Sequence, residues 1–308
     1  MEIDKLIQSF LRKAKTPLIV ILGATASGKT ALSLKIAHLV NGEIISTDSR
    51  QLYKEVDIST DVIAPDQMEN IPHHLLAITA IDKPLSLAEY KELAIQKIAE
   101  IYKRKHIPML VGGTGLYISA IIEGYDVPRV PPDPKLRQKL EKEAAKKGNE
   151  YVHAKLKKLD KMAAEKIHPN NLRYVIRAIE INLATKENKS DTRKKTKFDV
   201  LKIGIEWPRN ELYKRIGERV DSQIKRGLVN EVKNLLSKGY QHNLPAMSSL
   251  GVKELIPYLE GKLSLEECID TLKSNTRHYA KRQMTWFRRY DNVFYVHAKK
   301  TTKKGKIK

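Results

Sequence analysis

The segment Leu18–Val40, LIVILGATASGKTALSLKIAHLV, constrains this 308-residue chain more than any other. An apolar, β-branched run, Leu18–Leu22, meets Gly23-Ala24-Thr25-Ala26-Ser27-Gly28-Lys29-Thr30, and a periodic apolar segment follows. The loop fits G-x-x-x-x-G-K-[ST], and a strand, a glycine loop and a helix in that order make a phosphate cradle. The glycines let backbone N–H groups curl around phosphate oxygens. The helix N-terminus adds positive potential, Lys29 supplies a point charge, and Thr30 offers its hydroxyl to a magnesium ion. The motif fixes neither which phosphate is held nor which reaction follows.

Downstream, the helix from Thr30 is predicted to end near Asn41-Gly42, a C-cap. EIIS (43–46) reads as a short strand followed by TDSRQLY. Ser86-Leu-Ala-Glu89 is a capping box that opens a helix through about Lys103. IPMLV (107–111) reads as a buried strand running into Gly112-Gly113-Thr114. Strand–helix alternation with polar residues just after strands predicts an α/β fold with a doubly wound parallel sheet. The proline-rich YDVPRVPPDP (125–134) ends that rhythm, and Asp133-Pro134 supplies an N-cap and a first helical position. From there to about Thr185 the chain reads as helical. KENKSDTRKKTKFDV reads as a charged, mobile loop, LKIGIEW (201–207) as a returning strand, and the remainder as mostly helix. The expected architecture is a P-loop NTPase-like parallel-sheet core, residues 1–124 and 200–308, with an inserted all-helical domain, 125–199.

Charge narrows the partner. Lys and Arg number 57 against 36 Asp and Glu, a formal +21. Removing the basic stretch KKTTKKGKIK, expected to be disordered, still leaves about +15. Such an excess fits a polyanionic partner through phosphate neutralisation, or a lysine-rich solvated surface. The single cysteine, Cys268, rules out an internal disulfide and suits a reducing cytoplasm. MEIDKLIQSFLRKAK reads as a short amphipathic helix, no apolar run is long enough for a membrane span, and a monomer is the default state.

Asp48 lies just past a strand, in the same crevice as the cradle if the sheet is doubly wound. A carboxylate there can hold Mg²⁺, take a proton from a nucleophile, or merely cap a turn. A P-loop ATPase needs an acid after an apolar strand, yet Met109–Val111 ends in Gly-Gly-Thr, which weakens the ATPase reading. Thr114 follows two residues without side chains that could crowd a ligand; its hydroxyl faces the crevice, caps a helix, or does both. Arg215 and Arg219 lie one helical turn apart, as a diphosphate clamp or a solvated face. On the C-terminal helix, from the Ser264–Glu267 capping box to about Arg289, Arg277, Lys281 and Arg288 share one face. Tyr279, Gln283 and Trp286 share another. That pattern fits a nucleic-acid surface or a buried aromatic stripe. His73-His74 fit either a structural or a ligand-contacting role.

GATASGKT, DSRQLY, PHHLL, LVGGTGLY, IHPNNLRYVIRAIE, LGVKE and YAKRQMTWFRR occur in this order across nearly the whole chain. Together they closely resemble the tRNA dimethylallyltransferases, also called tRNA isopentenyltransferases, of the IPP transferase family. The resemblance implies a P-loop core with an inserted helical domain. The implied reaction moves a dimethylallyl group from dimethylallyl diphosphate to N6 of adenosine 37, beside the tRNA anticodon. It assigns the diphosphate to Gly23–Thr30 with Mg²⁺ on Thr30, and the proton of the attacking amine to Asp48. Thr114 and Arg219 would touch the diphosphate or line the channel, with Arg215 the alternative. Contacts with the tRNA anticodon stem-loop would come from Asp48, Ser49, Arg50, Gln51, Thr114 and Arg137. Further contacts would come from His168, Pro169, Asn170, Asn171, Leu172, Ser249, Leu250, Gly251, Val252 and Lys253. Arg277, Lys281, Arg282, Gln283 and Met284 complete the set. Val252 departs from the common LGYKE, which bears on a stacking contact. The missing zinc-finger extension of many eukaryotic members suggests the bacterial type. Three other readings compete. A transferase acting on free adenylate would need no basic insert. A small-molecule kinase would need the missing acid. A non-enzymatic RNA-binding module would leave Lys29, Thr30 and Asp48 without a purpose.

Overall fold

Continuous apolar runs need cover on both faces of a sheet, and Leu18–Leu22 are each fully buried in the computed structural model. The structure describes residues 2–125, 127–185 and 196–297. The expected tail, and residues 186–195 of the expected charged loop, lie outside the described residues. In chain order, α1 (Glu2–Lys13) precedes β1 (Pro17–Gly23), α2 (Lys29–Val40), β2 (Gly42–Ser46) and the single-turn α3 (Asp57–Thr60). β3 (His73–His74), α4 (Leu87–Lys103), β4 (Ile107–Gly112) and α5 (Gly115–Ile122) follow. Then come α6 (Pro134–Lys147), α7 (Asn149–Leu159), α8 (Lys161–Lys166) and α9 (Leu172–Thr185). β5 (Asp199–Glu206), α10 (Arg209–Lys225), α11 (Leu228–Ser237), α12 (Val252–Leu259), α13 (Leu265–Phe287) and β6 (Val293–His297) complete the described chain. It divides into two compact units, Met1–Ile122 with Thr196–Lys308, and Glu123–Lys195.

In the first unit six strands form one sheet in the order β3-β2-β4-β1-β5-β6, with every neighbour pair parallel. The local signals act where the sequence places them. Asn41, in the left-handed region at φ 52°, closes α2, and the Ser86 and Ser264 capping boxes open α4 and α13. The outer strands β3 and β6 escape pattern reading. β3 has only two residues, both half-buried histidines, and β6 offers only the short apolar run Val293–Val296, half-buried, in a region that reads as mostly helix. β3 is tied down by a buried carboxylate. Glu43 at the head of β2 is 1% exposed and accepts two bonds from Arg104 (2.9 and 2.7 Å), with His74 at 2.6 Å and His106 at 2.7 Å. The Arg104 bonds outweigh burial and, with the two imidazoles, hold its carboxyl down at about 2. His74 is therefore structural, and His73 Nδ1 lies 2.8 Å from the Ile71 carbonyl.

The second unit is helical throughout its elements, with Leu140, Val152, Leu156, Val175 and Ile179 in its core. The Asp133 carboxylate accepts from the Lys135 and Leu136 N–H groups, with Pro134 opening α6 as the sequence predicts. Glu180 on α9 is buried and accepts from the Asp133 N–H, from Arg137 through two bonds (2.9 and 2.8 Å), and from Arg177. Burial alone would raise its pKa, but the two guanidiniums and the N–H carry it to about 2. Arg137, expected as an RNA contact, thus spends its guanidinium on a buried carboxylate. His168, Asn170 and Asn171 are exposed on the turn before α9, while Leu172 packs against the core.

Candidate active site

Parallel register brings the expected chemistry to one edge. Leu22 of β1 lies beside Gly112 of β4, and Ser46 of β2 beside Val111. The three segments that follow these strands therefore emerge side by side at their carboxyl ends: the glycine loop, Thr47-Asp48 and Gly113-Thr114. In open α/β sheets this edge is where ligands bind.

The loop is built to point N–H groups inward. Ala26 (φ 60°) and Gly28 (φ 93°) take left-handed conformations, and at Gly28 only glycine does so without strain. Two donors hold its carbonyls, Trp207 Nε1–H on Ser27 (2.9 Å) and Arg215 Nε–H on Ala26 (2.8 Å); of these only Trp207 is not among the expected phosphate contacts. A trans peptide aims its N–H opposite to its carbonyl, so pinning these oxygens turns the following amides toward the cradle. Arg215 also covers the Trp207 ring at 4.5 Å. Through its Nε it backs the loop. α2 starts at Lys29, so the N–H groups of its first turn lack helical acceptors. The Ser27 hydroxyl is buried without a partner among the described residues.

Lys29 Nζ donates to the carbonyls of Gly23 (3.0 Å) and Ala24 (2.9 Å). Enclosure lowers its pKa to about 8, nearby Arg219 adds to the lowering, and Asp48 and Asp61 oppose it. Arg219 reaches Asp61 at 3.5 Å, and Arg226 holds the other oxygen of that carboxylate at 2.6 Å. Lys29, Asp48, Asp61 and Arg219 thus form one electrostatic cluster. Thr30 is exposed at the start of α2.

On the acceptor side, Asp48 accepts from the Arg50 N–H (2.9 Å), so its turn is self-capped while the carboxylate stays partly exposed. The Thr114 hydroxyl accepts from the Ser49 N–H (3.1 Å) and meets Tyr279. The glycines flanking Thr114 serve a purpose that local reading misassigns. A Cβ on Gly113 would lie 2.1 Å from Gln283 Nε2, and one on Gly115 would lie 2.2 Å from Trp286 Cδ1. They clear space for α13, not for a ligand. On this face of α13 Tyr279 and Trp286 are half-buried, and Gln283, 5% exposed, is not available to RNA. Tyr90 and Tyr117, which no motif singled out, stack at 3.9 Å, with the Tyr90 hydroxyl donating to the Ser46 carbonyl at 2.9 Å. Burial pushes both phenols up, and the field of Asp48 adds to this.

Several expected RNA contacts are internal struts. Arg50 donates to the Pro245 carbonyl and to Ser248 Oγ (3.1 Å). Gln51 bonds Ser46 Oγ (2.9 Å) and the carbonyls of Thr60 and Asp61 (3.2 and 3.4 Å). Val252 is fully buried, Ser249 and Gly251 are buried, and Leu250 packs against that same core, so the departure from LGYKE alters packing rather than stacking. Glu254, which sequence reading passed over, accepts from the Gly251 N–H (2.9 Å) and from Asn275 (2.9 Å), tying this turn to α13. Lys253, Lys281 and Arg282 are exposed, Met284 packs inward, and Arg277 lies 5.6 Å from the Tyr213 ring with its Nε buried.

A parallel sheet with a glycine–lysine cradle, Asp48 and Asp61 in its field and no acid directly after β4 defines a P-loop enzyme that is not of the ATPase pattern. The model of the family described as IPP transferase matches residues 51–290. The chain is 48% identical to a tRNA dimethylallyltransferase of Alkaliphilus oremlandii over 285 residues, 91% of each chain. It is 49% identical to one of Halothermothrix orenii over 281 residues, 90% of this chain and 86% of that one. A solved tRNA isopentenylpyrophosphate transferase of Bacillus halodurans superposes with a TM-score of 0.69 at 41% identity, covering 92% and 90% of the two chains. A eukaryotic dimethylallyltransferase acting on tRNA gives 0.77 at 28% identity, covering 92% of this chain and 74% of that one. The chain belongs to the IPP transferase family, and it is a transferase.

Proposed function

We propose that this chain transfers a dimethylallyl group from dimethylallyl diphosphate to N6 of adenosine 37, next to the anticodon of tRNA. One observation carries the reading: parallel register sets the phosphate cradle and Asp48 on the same sheet edge. The N6 lone pair attacks the allylic carbon, the carbon–oxygen bond breaks, and diphosphate leaves intact. Loop N–H groups, Lys29 and Arg219 stabilise the charge that grows on the leaving group. Asp48 takes the N6 proton as the new carbon–nitrogen bond forms. An aromatic amine is a weak nucleophile, so alignment against a good leaving group supplies much of the acceleration.

Mg²⁺ fits this donor set. Among the described residues no three acids, histidines or cysteines cluster as a metal cage. The exposed Thr30 hydroxyl beside a diphosphate matches a cation that keeps water and substrate oxygens as most of its ligands. When bound, the ion supplies charge against the departing diphosphate. Exposed Lys253, Lys281, Arg282 and the His168–Asn171 turn are the groups we assign to tRNA phosphates. No helix among the described residues is long and apolar enough to cross a membrane, and we place the reaction in the cytoplasm, where Cys268 stays reduced.

Incubation with labelled dimethylallyl diphosphate or γ-labelled ATP, plus unmodified tRNA, tests the donor. Prenyl label in tRNA is expected, and label entering only from ATP would defeat the reading. Asp48→Ala should cut turnover by about 10²–10⁴ with tRNA affinity within severalfold; retained turnover would remove Asp48 as the base.

A further inference from the structure

We infer that Gln283 is a positioning residue that sets the spacing between the leaving-group cradle and the acceptor-side turn. The inference rests on the prenyl-transfer reading above. Its amide spans two loops: Oε1 accepts from the Thr25 N–H at 2.9 Å, and Nε2 donates to the Gly113 carbonyl at 2.9 Å. Thr25 belongs to the loop after β1 and Gly113 to the turn after β4, so one planar group ties together the ends of two adjacent strands. A primary amide is the neutral side chain that offers a strong acceptor and a strong donor at once. With only 5% of the residue exposed, water is a poor substitute for either bond.

The tie reaches the reacting groups through short links. Beyond Gly113, the Thr114 hydroxyl accepts from the N–H of Ser49, the neighbour of Asp48. α13 meets this turn residue by residue: Gln283 at Gly113, Tyr279 at Thr114 and Trp286 at Gly115. A shift of the Gly113 carbonyl relative to Thr25 therefore moves the acceptor side against the diphosphate. In-line displacement is sensitive to misplacement of about 1 Å. The Thr25 N–H is also committed to Gln283, so the phosphate-facing donors of the loop lie beyond it, toward α2.

Gln283→Met keeps length and volume and removes both bonds. Gln283→Glu keeps the acceptor toward Thr25 and loses the donor toward Gly113. Turnover, tRNA affinity, dimethylallyl diphosphate affinity without tRNA, and thermal midpoint are measured for each, with the wild type alongside. A fall in kcat of about tenfold or more in both variants, with both affinities within about threefold and the midpoint nearly unchanged, is expected. Gly113→Ala should mimic the loss by displacing the amide, and adding it to Gln283→Met should cost little more than either alone. Wild-type kcat in Gln283→Met would overturn the inference by showing that filling the space suffices. Joint collapse of both affinities and the midpoint would overturn it too, leaving only a structural role. An inactive wild type on this donor would instead defeat the prenyl-transfer reading, and the inference with it.

Discussion

Lys29 offers the sharpest physical test, because burial works against its ammonium. Enclosure lowers its pKa from the ordinary 10.5 to about 8. That difference corresponds to about 3 kcal/mol against the charged form. The folded-state pKa lies below the unfolded one, so this cost is present in full below pH 8 and is relieved as pH rises from 8 to 10.5. A bound diphosphate supplies the missing counter-charge and keeps Lys29 protonated. At pH 9 roughly 90% of the empty protein carries neutral Lys29, so binding must take up about 0.9 proton. Affinity for dimethylallyl diphosphate, measured without tRNA, should be nearly flat below pH 7.5 and about tenfold weaker at pH 9. Calorimetry in two buffers of different ionisation enthalpy reads the proton uptake directly. Lys29→Met should abolish both the uptake and the pH slope, weaken binding, and stabilise the empty protein. Binding that stays flat through pH 9, or a slope that survives in Lys29→Met, would refute the reasoning.

Trp207→Phe removes the donor that holds the Ser27 carbonyl, and donor affinity should fall about tenfold with the fold intact; an unchanged Kd would show that the loop holds its shape alone. Glu43→Gln should cost about 3 kcal/mol in urea unfolding at pH 7. Because the Glu43 pKa is depressed to about 2, the wild-type advantage is complete above pH 4.5 and disappears as pH falls toward 2; an advantage that persists at pH 2 would contradict this. Lys281→Ala, at an exposed position of α13, should weaken all tRNAs alike and reduce the salt slope of binding by about one, measured by titration across ionic strengths; an unaltered slope would remove Lys281 from the interface.

What can be read along the chain is whatever depends on near neighbours. The cradle follows from Gly28, whose left-handed backbone a glycine supplies. The capping boxes at Ser86 and Ser264 and the C-cap at Asn41 follow from residues three or four apart. The buried strands follow from unbroken apolar runs. The place of Asp48 at the cradle follows from the rule that parallel sheets bind at their carboxyl edge. The partners of the site belong to another scale. Gln283 meets Thr25 across 258 positions, and Trp207 meets Ser27 across 180. Periodicity places Tyr279, Gln283 and Trp286 on one face of α13, yet only packing shows that this face closes on Gly113-Thr114-Gly115. Only packing, likewise, turns Arg50, Gln51 and Arg137 from free cations and amides into struts. The depressed pKa of Lys29 and the carboxylate of Glu43 held among Arg104, His74 and His106 are also products of enclosure. Desolvation and close approach depend on which distant segments come together, and no local pattern of residues encodes that.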